Sequence, residues 1–298
     1  MATSAQPTVQ RLGVVGGGLM GSGIAEVAAR SGIRTLIREP SDELLDTARQ
    51  RIERSMGSAV RRGKLGQDEQ AAALERISFV TEFGDLADCD VVVEAVPEKL
   101  ELTREIFAAL DRACRPETIL ASNTSSIPIA ELAGATDRPD HVLGLHFFSP
   151  VPVMSLLELV RALRTSDTAV AIGRSLGEQM SKQVIQTKDR AGFIVNMLLI
   201  PYLVAAIRMF EEGFATREDI DAGMRLGCAH PMGPLQLADF IGLDVTYEVC
   251  NSLFEEFKDP AYAPPPLLKR MLAAGMSGRK SNLGFYAYDP AGQVTDQA

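Results

Sequence analysis

The sequence predicts a doubly wound α/β domain followed by an all-helical domain. Up to residue 187, short apolar strand candidates alternate with helices, which is the pattern of a parallel sheet covered by helices. A glycine-rich turn joins the first strand to the first helix. After Lys188 the strand signal is lost until the tail, and helices separated by Gly and Pro follow. We therefore place the two domains at residues 1–187 and 188–298.

The strand candidates of the first domain are short and rich in apolar or β-branched residues. They are Arg11–Val15, Arg34–Arg38, Ile77–Val80, Val91–Ala95, Thr118–Ser122 and Val142–His146, with Leu156–Val160 and Val184–Thr187 as later additions to the sheet. Helices are predicted over Gly21–Ser31, 41–63 and Leu100–Cys114 in the first domain, and over Phe193–Glu212, Arg217–Leu226, Gln236–Ile241 and Thr246–Phe257 in the second.

The composition is that of a water-soluble globular protein. Hydrophobic residues make up 46% and charged residues 23%, so a sizeable core can form. The net charge of −9 makes the chain a poor general partner for nucleic acid or an anionic membrane, and we expect neither. A polyanionic ligand would need a local basic patch or backbone N–H groups.

Cysteine use and the absence of targeting signals favour a cytoplasmic protein. Four cysteines are widely spaced and form no C-x-x-C pair, which is typical of reduced thiols. The segment Met1–Gln10 has neither the basic nor the apolar region of a secretion signal. The uncharged stretch Ala191–Ile207 is short for a membrane span and is interrupted by Asn196 and Pro201, so we interpret it as a buried helix.

The glycine-rich turn predicts a dinucleotide site. Gly16, Gly18 and Gly21 form a G-x-G-x-x-G motif that follows a strand and opens a helix, the context in which the motif has meaning. The three glycines would permit the tight turn, the approach of a pyrophosphate and close helix–strand packing, in that order. The helix start, with Leu19 and Met20, would offer N–H groups to the phosphates. The alternative is a plain glycine-rich turn, but the context favours a Rossmann-like domain.

The end of the second strand favours NAD over NADP. Glu39 lies 18 residues after Gly21, where a carboxylate accepts hydrogen bonds from the adenosine ribose and repels a 2′-phosphate. Arg38 is a complication because an arginine nearby can bind that phosphate. Neighbouring strand residues face opposite sides, so we expect Arg38 to be solvated.

A histidine and a glutamate form the candidate catalytic pair. His146 ends a strand, and ligands of open α/β sheets bind at the carboxyl ends of strands. Glu158 lies in an apolar run, where a carboxylate is costly to bury without a partner. A carboxylate can orient an imidazole and stabilise its protonated form, as a general base in alcohol oxidation requires. The alternative for Glu158 is the solvated face of an edge strand. His141 would face away from His146, and we expect no metal site.

Two polar positions are further candidates with ordinary alternatives. Ser125 lies in the polar segment after the fifth strand. This segment also has the pattern of a helix N-cap before Ile127, a more ordinary role that is compatible with a catalytic hydroxyl. Asn196 interrupts the apolar helix and could point toward a cleft between the domains, or it could be a hydrogen-bonded core residue.

Together these motifs resemble the 3-hydroxyacyl-CoA dehydrogenase family over about residues 10–288. Several ordered motifs carry the resemblance, and together they are far more specific than any one of them. They are GVVGGGLMG from Gly13, VEAVPE from Val93, ASNTSSI from Ala121, GLHFFSP from Gly144, GFIVNMLL from Gly192, the Asp219–Asp244 block, and Gly278–Lys280 with Gly284–Tyr286.

The resemblance implies a short-chain, 3-hydroxybutyryl-CoA type of dehydrogenase of fatty acid metabolism. It implies NAD as cofactor, acyl-CoA as substrate and a homodimer formed through the helical domain. His146 and Glu158 would be the catalytic dyad, with Ser125 and Asn196 at the reacting oxygen. Glu98, Ser125, Ser149 and Lys280 would help to hold the nicotinamide nucleotide. Ser55 and Arg62 would meet the coenzyme A arm, and both ligands would bind in the cleft between the domains.

The coenzyme A assignment has independent support from helical spacing. Arg51, Ser55, Ser58 and Arg62 fall at i, i+4, i+7 and i+11 on one helix face, with further basic residues nearby. This is the local basic patch that a phosphate-rich ligand would need. A solvated basic face is the alternative.

Three departures from the family pattern leave the substrate open. Ser149 stands where the family usually has Asn, Thr103 where it often has Lys, and Asn282 with Leu283 where it has small residues. One alternative is therefore the same chemistry on a substrate carried by an acyl carrier protein, such as a hydroxymalonyl-type extender unit. A β-hydroxyacid dehydrogenase or imine reductase would need a Lys early in the interdomain helix, which this chain lacks. A further alternative is a non-catalytic NAD-binding or structural protein derived from this family, and the intact His146–Glu158 pair argues against it.

Overall fold

The computed structural model describes residues 7–295. The termini, including most of the segment examined for a secretion signal, lie outside the described residues. The chain divides into two compact units, the first ending at Phe193 and the second beginning at Ile194. This division lies six residues beyond the predicted limit at 187.

The first unit is built on one eight-stranded sheet, as the alternating pattern predicts. The strand order is β3-β2-β1-β4-β5-β6-β7-β8. The bounds are β1 Arg11–Val15, β2 Arg34–Arg38, β3 Ile77–Val80, β4 Val91–Glu94, β5 Ile119–Ser122, β6 Val142–Phe147, β7 Leu156–Arg161 and β8 Gln183–Lys188.

Helices cover both faces of this sheet, and two buried clusters form the core on either side. They are α1 Leu19–Arg30, α2 Asp42–Arg61, α3 Gln67–Glu75, α4 Leu100–Ala113, α5 Ile129–Ala133 and α6 Asp167–Gln179. Helices α1 and α6 pack in one cluster and α4 and α5 in the other. Helices α3 and α6 were not predicted from the sequence, and α5 begins two residues after the position that the predicted N-cap implies.

Strands β1 to β6 are parallel, but β7 runs antiparallel to β6. The connection 148–155 contains no helix, and parallel neighbours need a long crossover that this segment does not provide. Strand β8 then pairs parallel to β7, so β7 is an interior strand. The alternative that Glu158 lies on a solvated edge strand is therefore wrong.

The second unit is helical, with a small ribbon in its tail. Its helices are α7 Val195–Glu211, α8 Arg217–Gly227, α9 Pro234–Ile241, α10 Leu243–Phe257 and α11 Pro266–Ala273, and the ribbon pairs β9 Ala287–Tyr288 with β10 Val294–Thr295. Helix α11 was not predicted. Across residues 7–295, no helix combines the length and apolar character needed to cross a bilayer.

Candidate active site

His146 and Glu158 are direct partners across two neighbouring strands. The antiparallel register places their Cα atoms opposite each other. The His146 Nδ1 and the Glu158 Oε2 lie 2.7 Å apart. The glutamate is fully buried and the histidine is only 7% exposed. A buried carboxylate on Nδ1 fixes the orientation of the imidazole and directs its proton exchange to Nε2.

Aromatic rings enclose the imidazole. The ring centroids of Phe148 and Phe193 lie 4.6 and 5.5 Å from that of His146. The backbone beside the histidine is also fixed, because the Asn123 side-chain oxygen accepts a hydrogen bond of 3.0 Å from the N–H of Phe147. The pair is thus shielded from water and rigid, as a preorganised base requires.

The polar segment after β5 folds against Glu98. The Ser125 N–H donates to one oxygen of the Glu98 carboxylate at 2.6 Å, and the Ser126 hydroxyl donates to the other. The structure therefore brings together Glu98 and Ser125, two residues that the sequence analysis assigned to the cofactor site from separate motifs.

The alternative that this segment caps a helix before Ile127 is wrong. Helix α5 begins at Ile129, and the Thr124 hydroxyl instead accepts from the N–H groups of Ser126 and Ile127 within a turn. The first N–H groups of α5, those of Ile129 and Ala130, donate to the Asp189 carboxylate at 2.9 and 2.8 Å.

Glu94 is a buried carboxyl group at the end of β4 that the sequence analysis did not single out as a site residue. It accepts hydrogen bonds from the Ser122 hydroxyl at 2.6 Å and from the Val96 N–H at 2.7 Å. Burial raises the pKa of Glu94 to about 7, and the negative charge of Glu98 adds to the rise. Glu94 and Glu98 thus anchor the two ends of the segment that carries Ser125.

The glycine-rich turn has the geometry of a phosphate-binding loop. Gly16 has a φ of +99°, and a Cβ there would lie 2.7 Å from the Ala95 carbonyl oxygen. A Cβ on Gly21 would overlap the Gly16 carbonyl oxygen, so helix and turn meet there without a side chain between them. A Cβ on Gly18 would meet no atom within 4 Å, which leaves open space in front of the helix start. Leu19 and Met20 form the first residues of α1 behind this space.

Glu39 follows β2 beside this turn. Its carboxylate accepts a hydrogen bond of 2.5 Å from the Gly17 N–H. Arg38 is half-buried rather than solvated as expected, because its guanidinium stacks 4.0 Å from the centroid of the Phe83 ring and its Nε donates to the Thr81 carbonyl. Arg38 is thus held by protein groups.

An apolar cavity adjoins Glu39 at the carboxyl ends of the strands. Its volume is about 430 Å³. Its lining includes Arg38 and Glu39, Leu44 from α2, Phe83, and Leu102 and Ile106 from α4. A largely apolar cavity beside the Glu39 carboxylate and an open glycine turn has the chemistry to hold the adenosine half of NAD.

Ser149 is exposed and lies just after β6. The loop that follows is held by the buried Lys182, whose ammonium group donates hydrogen bonds of 2.6 and 2.7 Å to the carbonyl oxygens of Val151 and Met154. Thr103 is buried in α4, and its hydroxyl donates to the carbonyl of Lys99, the N-cap residue of that helix. The short, buried side chain of Thr103 therefore cannot replace the long, charged side chain of the lysine that the family often has at this position.

The residues of the predicted basic face on α2 differ in their exposure and in their hydrogen-bond partners. Arg62 is exposed at the end of the helix. Ser55 is half-buried and hydrogen bonds to the buried Glu26 of α1. Arg51 points to the glycine-rich turn, where it donates to the Gly17 carbonyl. The four residues thus share a helix face without forming one uniform surface.

Two predicted site residues belong to the second unit. Asn196 lies in the first turn of α7, half-buried, so it begins the helix rather than interrupting it. Lys280 forms an ion pair with Asp244. Among residues 7–295, no group of three His, Cys, Asp or Glu side chains is placed to hold a metal ion.

Asn123, Phe193 and Glu94 are site residues that sequence reasoning missed. Asn123 and Glu94 both lie at the carboxyl end of a buried parallel strand, and that position could have identified them. Phe193 gives no such signal, because its contact with His146 depends on how the chain returns after β8.

Comparisons with known proteins agree with this geometry. Residues 11–190 match the model of the 3-hydroxyacyl-CoA dehydrogenase NAD binding domain, and residues 192–288 match that of the 3-hydroxyacyl-CoA dehydrogenase C-terminal domain. A 3-hydroxybutyryl-CoA dehydrogenase of Mycobacterium tuberculosis is 51% identical over 94% of this chain and 99% of its own length. The human mitochondrial hydroxyacyl-coenzyme A dehydrogenase is 38% identical over 96% of this chain and 94% of its own length.

Solved structures show the same fold. The crystal structure of M. tuberculosis FadB2 has a TM-score of 0.93 and 51% identity, with 95% of this chain and 100% of that chain covered. That of the (S)-3-hydroxybutyryl-CoA dehydrogenase PaaH1 from Ralstonia eutropha has a TM-score of 0.89 and 42% identity, with the same coverage.

Proposed function

Because this chain belongs to the 3-hydroxyacyl-CoA dehydrogenase family, we propose that it interconverts 3-hydroxybutyryl-CoA and acetoacetyl-CoA. The enzyme class and the use of NAD follow from the family, whereas the short acyl chain is the proposal. Two relatives at 51% and 42% identity bear the name 3-hydroxybutyryl-CoA dehydrogenase, and this supports it.

The observation that most supports the chemistry is the buried His146–Glu158 pair. In the oxidation, Nε2 of His146 takes the proton of the 3-hydroxyl group as hydride leaves C3. Glu158 offsets the positive charge that develops on the imidazole. In the reduction, the imidazolium returns the proton to the oxygen of acetoacetyl-CoA, so one pair serves both directions.

When bound, NAD supplies the acceptor for the hydride. We assign its pyrophosphate to the turn of Gly16, Gly18 and Gly21 and its adenosine ribose to Glu39. Glu98 would hold the Ser125 segment at the nicotinamide end. The roles of Ser149, Asn196 and Lys280 at the ligands, and of Ser55 and Arg62 at the coenzyme A arm, stay predictions of the same proposal.

The test is NADH oxidation, followed at 340 nm with acetoacetyl-CoA and compared with NADPH. We expect fast loss of absorbance with NADH and a higher KM for NADPH, because Glu39 repels a 2′-phosphate. A KM for NADPH equal to or below that for NADH would contradict the cofactor assignment.

If protein that binds NADH shows no loss of absorbance with either cofactor, the assignment of an acyl-CoA substrate would be contradicted. The acetoacetyl group would then be offered on an acyl carrier protein. If only that substrate is reduced, the same dyad acts on a carrier-bound acyl group rather than on a CoA ester. Ser149→Asn would then be the first variant to compare.

A further inference from the structure

Arg51 lies one helical turn from the point where α2 touches the glycine-rich turn. A Cβ on Gly17 would lie 2.5 Å from the Cβ of Ala48, so the backbone of the turn rests directly on the helix. From this position Arg51 Nη1 donates a hydrogen bond of 2.7 Å to the Gly17 carbonyl oxygen. The Ser22 hydroxyl donates to the same oxygen, also at 2.7 Å.

These two donors fix the plane of the Gly17–Gly18 peptide. A carbonyl oxygen has two lone pairs, and here each can be used by one donor. The donor from Arg51 is a charged guanidinium, so its bond is stronger than one from a neutral donor. On the other side of Gly17, the N–H donates to Glu39. Both the N–H and the carbonyl group of Gly17 are therefore fixed by hydrogen bonds.

The fixed carbonyl determines where the next N–H points. In a planar trans peptide the C=O of Gly17 and the N–H of Gly18 lie on opposite sides of the bond. Since Arg51 and Ser22 hold the carbonyl against the protein, the Gly18 N–H points the opposite way. Around Gly18 a Cβ would meet nothing within 4 Å, so there is space for a ligand to approach. This is the N–H that a pyrophosphate at the start of α1 would accept from.

We propose that Arg51 is a positioning residue of the NAD site: by holding the Gly17 carbonyl it orients the Gly18 N–H toward the pyrophosphate. This inference rests on the proposed function only in that the turn binds NAD. It removes Arg51 from the coenzyme A face to which helical spacing assigned it, and it leaves Ser55 and Arg62 there.

The test replaces Arg51 by Met and measures NADH binding by its fluorescence, with no acyl-CoA present. We expect the dissociation constant to rise about tenfold, as for loss of a charge-assisted hydrogen bond. ADP-ribose, which carries the pyrophosphate without nicotinamide, should lose affinity by a similar factor. The KM for acetoacetyl-CoA and the kcat at saturating NADH should stay within about twofold of the wild type.

Arg49→Met is the matched control, because it removes the same charge from the same helix. Arg49 stacks on Phe79 at 4.1 Å from the ring centroid and does not touch the turn. NADH affinity should be unchanged in this variant. Arg51→Lys, which keeps a charged donor, should lie between wild type and Arg51→Met, and it serves as the test if the Met variant does not fold.

Unchanged NADH and ADP-ribose affinity in Arg51→Met would overturn the proposal. A raised KM for acetoacetyl-CoA with normal NADH binding would overturn it too, and would return Arg51 to the coenzyme A face. Because NADH binding is measured without substrate, the result can be read even if acetoacetyl-CoA is not turned over.

Discussion

At the scale of single residues, the proposed chemistry depends on a histidine whose ring is fixed by a buried carboxylate. Sequence reasoning could pair His146 with Glu158 because both stand out against apolar strands. It could not find the partners of Arg38 and Arg51. Those side chains are long, and their contacts with Phe83 and with the Gly17 carbonyl depend on how separate elements pack. The expectation that Arg38 is solvated failed for this reason.

His146→Gln should remove general base catalysis while keeping a side chain of similar size. We expect kcat for acetoacetyl-CoA reduction to fall about 10²–10⁴-fold, the usual contribution of such a group. NADH affinity, measured by fluorescence, should be unchanged. Turnover at the wild-type rate in this variant would refute the assignment of His146.

Glu94→Gln should change how stability depends on pH. Burial raises the pKa of Glu94 to about 7, above the value of 4.5 for an ordinary glutamate. Between these values the folded protein keeps the proton and the unfolded chain releases it, so this group's contribution to stability falls as the pH rises through that window. Glutamine does not ionise, so the variant should escape this loss.

The measurement for Glu94 is urea unfolding at pH 5 and at pH 8. Relative to the wild type, Glu94→Gln should gain up to about 3 kcal/mol on going from pH 5 to pH 8. An equal difference between the two proteins at both pH values would mean that Glu94 titrates normally in the fold.

At the scale of elements, strands were easier to predict than helices. The central strands of the sheet, such as β1, β4, β5 and β6, are buried on both sides and read as short apolar runs, which sequence patterns reveal. Helix α6 contains Gly173 and Gly177, which read as helix breakers. In the structure both face the sheet, where a Cβ would lie 3.1 Å from Leu143 or 2.5 Å from Val184. Helix α5 has only five residues, too few for a periodic signal.

Helix α5 also depends on a cap that is 59 or more residues away along the chain. Asp189→Ala should remove both hydrogen bonds to its first N–H groups and cost about 1 kcal/mol. In a unit of this size that corresponds to a fall in Tm of about 2–4 °C. Asp189→Asn keeps one acceptor oxygen, so its Tm should fall less than that of the Ala variant. Equal Tm values for the wild type and the Ala variant would exclude the capping role.

At the scale of the whole molecule, the surface of the second unit carries exposed apolar side chains and an apolar cavity. In the second unit, large apolar side chains stand out of the surface: Leu198 is 73% exposed, Phe214 78% and Leu226 84%. An apolar cavity of about 460 Å³ lies beside Phe214. Exposed apolar surface of this kind commonly marks a protein–protein interface. The sequence could suggest a partner only through family resemblance, because exposure depends on the fold.

Light scattering should therefore give a mass of about 64 kDa, twice the 32.1 kDa of one chain. Phe214→Glu would place a charge on the apolar surface and should shift the mass toward that of one chain. A wild-type mass near 32 kDa at micromolar concentration would exclude the homodimer.

The antiparallel pairing of β6 with β7 separates the geometry of the His146–Glu158 pair from the side chains of the loop that joins the two strands. The relative position of His146 and Glu158 is set by the main-chain ladder between two interior strands. The connecting loop 148–155 carries Ser149 and no member of the pair. A substitution of Ser149 in this loop can therefore leave the register that pairs His146 with Glu158 unaltered. Under the proposed function, a change at the predicted cofactor contact Ser149 is thus separable from a change in the proton-transfer pair.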